Sequence, residues 1–367
     1  MKKRLRIFAL GGNEVSPTGK VDSNTGKLII PDLPEQWRRT AETLKLLAKI
    51  IKEDPDDYYV ITHGNGPQVG NILLRAEYSQ PILHLLPLDV CDADTQGAMG
   101  YMLAQLTNDL RILGINRIAA ETITRVVVNE DDPEYLNPSK YIGPSYIKED
   151  ALTKRERQGY EMKFYKLNEK GEEIWRRVVP SPKPADIVEI EIIDANMRAG
   201  IIPIAVGGGG VPVKKVKPQL INGEEVYRCN YNIIYKREFN SSLLPIEIYT
   251  GVEAVVDKDL ATSLLGKMLI QKAKERNEEL DAELIIFTDI DSVKLNFQKP
   301  GQRDIRKASL QEMKRLLEAN TFPPGSMAPK IEAAINFIEA EGRRVYITKA
   351  PLFYETLSCN AGTLIEA

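Results

Sequence analysis

Three glycine-rich segments have the residue types that could bind an anion such as a phosphate group. Gly11-Gly12-Asn13 and Gly64-Asn65-Gly66 each follow a short apolar run, and Gly207-Gly208-Gly209-Gly210 follows a third. Because glycine lets a ligand approach backbone N–H groups closely, a glycine turn after a strand is suited to phosphate. A tight turn explains any one segment equally well, but two such loops at adjacent strand ends predict a phosphate cradle. Four consecutive glycines also predict close approach of a ligand or of another backbone segment.

Two lysines at predicted helix starts could stabilise a transferring phosphoryl group. Lys258 stands between Asp257 and Asp259, which hold its charge in place, and a fixed ammonium can neutralise charge that develops on phosphate oxygens. Lys330 lies in the first turn of a helix that follows GSMAP. A cation is slightly unfavourable at this positive helix end, so a bound anion would suit Lys330. An ordinary capped helix start and a solvated lysine are the structural alternatives.

A pair of carboxylates, Asp289 and Asp291, follows the apolar run ELIIF. Carboxylates at a strand end could hold nucleotide hydroxyls or Mg²⁺, although a loop turn explains them as well. The sequence has no Walker A motif, because GGGGVPVKK lacks the required spacing and the Lys-Ser/Thr ending. Any nucleotide would therefore bind in a manner different from that of P-loop proteins. His63, one of two histidines, is by itself more often structural than catalytic.

Short apolar segments that alternate with amphipathic ones must position these residues. Strands are predicted at segments such as LRIFAL, YYVITHG and IIPIAV, and helices at segments such as EQWRRTAETLKLLAKIIKED and QVGNILLRAEYS. This alternation predicts an α/β fold with a mostly parallel sheet and helices on both faces. Ligands of such sheets bind outside the carboxyl ends of the strands, which is where the three glycine segments fall.

Two segments interrupt the alternation. Residues 131–184 are rich in proline, tyrosine and charge and lack a clean helical period, so we interpret them as a lid-like excursion over the site. Residues 214–249 have the pattern of an unusual, strand-rich insertion centred on VYRCNYNIIYKREF.

Composition excludes several classes of protein. The 367-residue chain has a net charge of −3, which gives no basic field for nucleic acid, and it has no apolar run long enough to span a membrane. The N-terminal apolar run stops at Leu10, before Gly11, so a buried strand is favoured over a secretory signal. Three scattered cysteines offer neither a disulfide framework nor zinc spacing, so we expect no protein metal site and a cytoplasmic location. These cysteines are Cys91, Cys229 and Cys359.

Nine motifs, taken in order, resemble those of the carbamate kinases, a group within the amino acid kinase family. The likeness runs nearly from end to end of the chain. The motifs are ALGGN, THGNGPQVG, QGAMGY, NPSKYIGP, RRVVPSPKP, GGGGVPV, EAVVDKDLA, FTDIDSV and GSMAPKIEAA. Each motif is weak alone, but all of them in one order are a specific signal.

The resemblance implies a three-layer α/β/α fold with an open, mainly parallel central sheet, in a single domain of residues 1–367. Its N-terminal lobe, residues 1–200, would bind carbamate or carbamoyl phosphate, and its C-terminal lobe, residues 201–367, would bind ADP or ATP. The implied reaction is reversible phosphoryl transfer between ATP and carbamate, with Mg²⁺ as cofactor and only small molecules as substrates. The implied assembly is a homodimer without nucleic-acid or membrane partners.

The resemblance also implies roles for individual residues. The implied catalytic residues are Lys258, Lys330, Asp259 and Lys140. The implied substrate- and phosphate-binding residues are Gly11, Gly12, Asn13, Gly64, Asn65 and Gly66. The implied nucleotide-binding residues are Gly207, Gly208, Gly209, Gly210, Asp289, Asp291 and Met327. Lys258 and Lys330 would stabilise the phosphoryl oxygens, Asp259 would orient both lysines and Lys140 would close over the substrate, for direct in-line transfer without a covalent enzyme intermediate.

Three positions depart from the family pattern. Glu14 stands in place of a small residue, Lys294 in place of an aromatic residue and Ala328 in place of a glycine. An extra anion at Glu14 would repel an anionic acceptor, which leaves open a related kinase that uses a different small acceptor. A nucleotide-binding regulator without catalysis is the second alternative, although the implied catalytic residues are all present. Turnover on a panel of acceptors would distinguish these alternatives.

Overall fold

The computed structural model describes residues 3–15, 20–21, 28–29, 32–237, 246–323 and 325–367, and both strands and helices are distributed along these ranges. The strands are β1 (Lys3–Leu10), β2 (Lys20–Val21), β3 (Leu28–Ile29), β4 (Tyr58–His63), β5 (Ala119–Glu121), β6 (Arg125–Val128), β7 (Lys140–Ile147), β8 (Met162–Leu167), β9 (Glu173–Val179), β10 (Pro184–Ile187), β11 (Ile202–Ile204), β12 (Val211–Lys215), β13 (Gln219–Ile221), β14 (Glu224–Arg228), β15 (Ile234–Lys236), β16 (Tyr249–Gly251), β17 (Leu280–Phe287), β18 (Val293–Leu295), β19 (Arg303–Ile305), β20 (Lys307–Ser309), β21 (Arg344–Thr348) and β22 (Thr363–Glu366). The helices are α1 (Gly12–Val15), α2 (Leu33–Glu53), α3 (Gln68–Ser79), α4 (Leu88–Leu103), α5 (Leu106–Ile112), α6 (Lys148–Gln158), α7 (Ile190–Arg198), α8 (Lys258–Glu275), α9 (Leu310–Glu318), α10 (Met327–Glu339) and α11 (Phe353–Leu357).

The central sheet has eight strands in the order β20-β22-β21-β17-β1-β4-β11-β5. The run from β21 through β17, β1, β4 and β11 to β5 is parallel, and β22 is antiparallel to β21. Parallel neighbours bring the carboxyl ends of β17, β1 and β4 to one edge of the sheet, where ligands bind in open α/β folds.

Helices cover both faces of this sheet. Strand β1 is apolar and buried along most of its length, as expected for a central strand with a helical layer on each side. Ile7 packs into a core that includes residues of α7, α8 and α10, whereas Phe8 points to the opposite face and packs with α2, α4 and α11. The predicted three-layer α/β/α fold with an open, mainly parallel sheet is therefore confirmed.

A smaller antiparallel sheet with the order β7-β9-β8 lies within the predicted lid, residues 131–184. Helix α6 follows β7, although this segment of the sequence has no clean helical period. The reason is that α6 buries only Ala151 among its residues, so it lacks the apolar stripe that a period would reveal. Its carboxyl end is capped by Gly159 in the left-handed conformation (φ 69°).

The predicted insertion, residues 214–249, forms strands where it is described. Strands β13, β14 and β15 make a three-stranded antiparallel sheet, while β12 and β16 pair with each other in a separate four-stranded sheet. Residues 238–245 of the insertion lie outside the described residues. No helix in the described part of the chain is long and apolar enough to cross a membrane.

Candidate active site

Three loops meet at the carboxyl edge of the central sheet. The Gly64 N–H donates to the Leu10 carbonyl (2.9 Å), and the Gly11 N–H donates to the Phe287 carbonyl (3.1 Å). A Cβ on Gly12 would lie 2.9 Å from the Gly66 Cα, so the first two glycine segments can pack together only without side chains there. The glycine loops that the sequence placed at adjacent strand ends are therefore in contact.

A cleft of about 1080 Å³ opens beside these loops. Several of the residues that the sequence singled out line it: Gly64, Asn65, Gly66, Lys140, Gly208, Lys258, Asp259, Asp289, Met327 and Lys330. Gly11 and Gly12 are not among the lining residues, and Gly12 packs directly against Gly66. The Asn13 side chain lies outside what the structure describes.

The tetraglycine segment is shaped chiefly by contacts with protein atoms. A Cβ on Gly207 would lie 2.4 Å from Nε2 of His63, and a Cβ on Gly209 would lie 2.3 Å from the Val256 carbonyl oxygen. Gly208, Gly209 and Gly210 all have positive φ (67°, 101° and 86°), which side chains rarely adopt. Of this segment only Gly208 lines the cleft, so close approach of the protein itself accounts for most of its glycine content.

We expect Gly208→Ala to destabilise the fold more than Gly223→Ala. Both glycines have positive φ (67° and 84°), so both variants pay a similar backbone cost of about 1–2 kcal/mol. A Cβ on Gly208 would lie 2.0 Å from Nδ2 of Asn65, whereas a Cβ on Gly223 would meet no atom within 4 Å. Urea unfolding of both variants measures the difference, and equal losses of stability would show that the Asn65 contact is unimportant.

Two lysines converge on one buried carboxylate at the cleft wall. Asp259 Oδ1 lies 2.5 Å from Nζ of Lys258, and its Oδ2 lies 2.7 Å from Nζ of Lys330, although 71 positions separate Asp259 from Lys330. The Asp259 side chain is only 5% exposed. Burial alone would raise the pKa of Asp259, but the two ammonium charges hold it well below its usual range. The carboxylate therefore stays ionised and fixes both ammonium groups.

The cap at the start of α8 and the position of Lys330 in α10 explain this arrangement. The Asp257 carboxylate accepts from the backbone N–H groups of Asp259 and Leu260, so it caps the start of α8. Lys330 lies in the first turn of α10, where the sequence suggested that a cation needs an anion nearby. The Asp259 carboxylate supplies an anion there. Residues 257–259 therefore cap a helix and also fix the lysine charges, so the two interpretations made from the sequence are compatible.

Lys140, on the first strand of the lid, reaches the same corner of the cleft. Its Nζ lies 3.3 Å from Oδ2 of Asp257, the residue that caps α8. Gly143 of the same strand packs against Gly70 of α3, where a Cβ on Gly70 would lie 2.9 Å from the Gly143 Cα. These contacts place the strand that carries Lys140 beside the first turn of α3 and the start of α8.

The carbamate kinase of Thermococcus kodakarensis is 36% identical over 363 residues, which cover 98% of this chain and 98% of that protein. The chain belongs to the carbamate kinase family. The carbamate kinase of Lentilactobacillus hilgardii is 34% identical over 98% of this chain and 96% of its own length, and the model of the amino acid kinase family matches residues 273–349.

Solved structures agree with the family assignment. The structure of a Giardia lamblia carbamate kinase bound to AMP-PNP superposes with a TM-score of 0.75, at 30% identity over 99% of this chain and 98% of that chain. A protein of Aeropyrum pernix K1 gives a TM-score of 0.77, at 34% identity over 99% of both chains.

Glu14, the first departure from the carbamate kinase pattern, does not line the cleft. Its side chain is 3% exposed, and its Oε2 lies 3.5 Å from Nη2 of Arg39 on α2. Burial raises the pKa of Glu14, with a smaller opposing effect of Arg39. An acceptor in the cleft would therefore not contact Glu14 directly, although the carboxylate of Asp289, which lines the cleft, also raises the pKa of Glu14.

The other two departures lie near the nucleotide side that the carbamate kinase resemblance implies. Lys294 lines the cleft, and its Nζ is held 2.5 Å from Asp304 and 3.2 Å from Asp291. Asp291 is not among the lining residues, unlike Asp289. Ala328 lies in the first turn of α10, half-buried against the core.

Some residues that line the cleft were not predicted from the sequence. Tyr165, Lys166 and Arg176 project from the lid sheet into it. The Arg176 guanidinium lies 5.0 Å from the centre of the Tyr165 ring, and its Nη2 donates to the Gly143 carbonyl (2.9 Å). Arg176 belongs to the motif RRVVPSPKP, so a signal was present, but the sequence did not show which of its residues face the cleft.

His63 has a structural position, as the sequence suggested. Its side chain is fully buried behind Gly207, and burial lowers the pKa of the imidazole to about 4. The ring is therefore neutral at physiological pH and supplies no charge to the cleft.

Proposed function

We propose that this protein is an ATP-dependent carbamate kinase, which transfers a phosphoryl group reversibly between ATP and carbamate. The arrangement that carries the proposal is the pair of ammonium groups that Asp259 holds at the cleft wall, beside the glycine loop Gly64–Gly66. The full-length identity to named carbamate kinases and the likeness to a carbamate kinase that binds AMP-PNP support the acceptor and the nucleotide.

In the proposed mechanism the protein positions two substrates and neutralises charge. A β-phosphate oxygen of ADP attacks the phosphorus of carbamoyl phosphate, the new P–O bond forms ATP, and the bond to the carbamate oxygen breaks. Lys258 and Lys330 stabilise the negative charge spread over the transferring phosphoryl oxygens. Lys140 closes on the substrate from the lid, and no side chain forms a covalent intermediate.

The substrates would occupy opposite ends of the cleft. Carbamoyl phosphate would lie against Gly64–Gly66 with the preceding Gly11-Gly12-Asn13 loop in support, within the lobe of residues 1–200. The nucleotide would lie near Met327 and Asp289, within the lobe of residues 201–367. Asn65 of the first lobe and Met327 of the second lobe both line the cleft, which supports this division.

Mg²⁺ belongs to the same proposal. No group of three or more possible metal-ligating side chains occurs in the described part of the chain. Mg²⁺ that enters with a nucleotide needs only one or two protein carboxylates, because phosphates and water supply the other ligands. Asp289, a carboxylate at the cleft wall, fits that requirement. When bound, the ion would screen the charge between the nucleotide phosphates and the incoming group.

A homodimer is also proposed, from the family resemblance. Exposed apolar side chains near the β5 edge of the central sheet support it, since a partner would cover them: Tyr101, Ile112, Ile118 and Ile123. The cytoplasmic location expected from the sequence stays a prediction.

The proposal is tested by ATP formation from ADP, Mg²⁺ and carbamoyl phosphate. We expect rapid ATP formation with carbamoyl phosphate and much slower formation with acetyl phosphate, because the cleft should favour its own acceptor. No ATP from carbamoyl phosphate, with ADP still bound in a calorimetric titration, would contradict the proposed acceptor and leave the kinase fold in place.

A further inference from the structure

One arginine of the lid lines the cleft without a counter-ion. Arg176, on β9, forms no ion pair with any carboxylate in the described part of the chain. Other lid cations differ from it, because Lys140 pairs with Asp257 (3.3 Å) and Arg177 pairs with Glu253 (3.2 Å). The charge of Arg176 is therefore left for an anion that enters the cleft.

The guanidinium of Arg176 is nevertheless held in place. Its Nη2 donates to the Gly143 carbonyl (2.9 Å), and the rings of Tyr165 and Tyr141 lie 5.0 Å and 6.0 Å from it. The two rings contact each other edge to face, with their centres 5.1 Å apart. The Nε atom is buried, whereas Nη1 is not buried and makes no hydrogen bond to the residues that the structure describes. Nη1 is thus the donor that a ligand can use.

Two irregularities of the lid sheet surround Arg176. The pairing with β9 shifts register across residues 142–145 of β7 and across residues 164–166 of β8. The first shift contains Gly143, whose φ of 64° favours glycine, and the second contains Tyr165. Bulges of this kind redirect side chains and are common next to active sites. The carbonyl and the ring that hold Arg176 are therefore both placed by breaks in regular pairing.

Arg176 lies on the acceptor side of the cleft. Gly143, to which it donates, packs against Gly70 of α3, within the lobe proposed to bind carbamoyl phosphate. Lys140 pairs with Val179, three residues beyond Arg176 on β9, so about 10 Å of strand separates the two positions. Because Lys140 reaches the corner of the cleft where Asp257 caps α8, Arg176 is placed to meet the other end of a bound acceptor.

We propose that Arg176 binds the carbamate end of carbamoyl phosphate through Nη1. This inference rests on the proposed function, because it takes carbamate as the acceptor and Lys258 and Lys330 as the groups that bind the phosphoryl oxygens. When the bond from phosphorus to the carbamate oxygen breaks, its electron pair stays on the carbamate, which leaves as a carboxylate-like anion. A fixed guanidinium suits such an anion and stabilises its charge as that charge develops.

The activity test compares Arg176→Ala with Arg157→Ala, which removes an exposed arginine of the lid helix α6 that does not line the cleft. In Arg176→Ala we expect kcat/KM for carbamoyl phosphate to fall at least about tenfold, as expected when a hydrogen bond to a charged group is lost. The affinity for ADP, measured by calorimetry, should not change, and Arg157→Ala should match wild type. Wild-type kcat/KM in Arg176→Ala, or a fall confined to the affinity for ADP, would overturn the proposal.

Two phosphonates separate this proposal from the proposed function without turnover. Phosphonoacetate has a carboxylate in place of the carbamate group of carbamoyl phosphate, and methylphosphonate has only a methyl group there. With ADP present, we expect Arg176→Ala to weaken the binding of phosphonoacetate at least about tenfold and to leave that of methylphosphonate unchanged. Equal effects on both phosphonates, or none on either, would contradict the role of Arg176 even if ATP forms from carbamoyl phosphate. A loss confined to phosphonoacetate in an enzyme that forms no ATP would support Arg176 and count against carbamate as the acceptor.

Discussion

Replacing Asp259 with alanine should abolish measurable phosphoryl transfer and destabilise the protein by about 3–5 kcal/mol. The variant leaves Lys258 and Lys330 as buried ammonium groups without their shared carboxylate, and breaking a buried ion pair from one side costs about that much. The two lysines would then also repel each other and lose their fixed positions. Urea unfolding at neutral pH and initial rates of ATP formation measure the two effects.

The pH dependence of this loss of stability provides a control. Because the pKa of Asp259 is lowered in the folded state, its stabilising contribution is present above the unfolded pKa of about 3.9 and is lost as pH falls through the folded pKa. The difference in stability between wild type and Asp259→Ala should therefore narrow on acidification below about pH 4. A stability equal to wild type at neutral pH would contradict the central role assigned to Asp259.

Lys258→Ala should lower the turnover number at least about a hundredfold, with the fold retained. A preorganised group that stabilises transition-state charge typically contributes that much or more. The fold should persist because Asp259 keeps its second partner, Lys330. Steady-state kinetics in the direction of ATP formation measure the effect.

Lys267→Ala is the matched control for that variant. Lys267 is an exposed lysine on the same helix, α8, so its removal also deletes one ammonium but leaves the Asp259 cluster intact. We expect turnover close to that of wild type in Lys267→Ala. A Lys258→Ala enzyme that turns over within a few-fold of wild type would show that Lys258 does not act on the phosphoryl group.

The fold was largely predictable because its elements have strong local signals. The amphipathic segment QVGNILLRAEYS predicts α3, and the structure has the helix at Gln68–Ser79. Mostly apolar runs that are followed by glycine predict β1, β4 and β11, because these strands are buried on both faces. Helix α6 was not predicted from the sequence because it buries almost no side chains, so its hydrophobicity pattern does not indicate a helix.

The site was predictable only in part, because its contacts join residues far apart in sequence. The types of Lys258, Asp259 and Lys330 suggested phosphate chemistry, but the contact across 71 positions needs the packing of α8 against α10. The protein contacts that fill the space around Gly207 and Gly209 are equally nonlocal.

Phosphoryl transfer by the two lysines on Asp259 is tested by ATP formation from ADP, Mg²⁺ and carbamoyl phosphate, with wild type and Lys330→Ala measured side by side. We expect rapid ATP formation by wild type and its loss in Lys330→Ala, with ADP binding by the variant retained. Wild-type turnover in the variant would contradict the role of the two lysines on Asp259. No turnover in wild type would contradict carbamate as the acceptor.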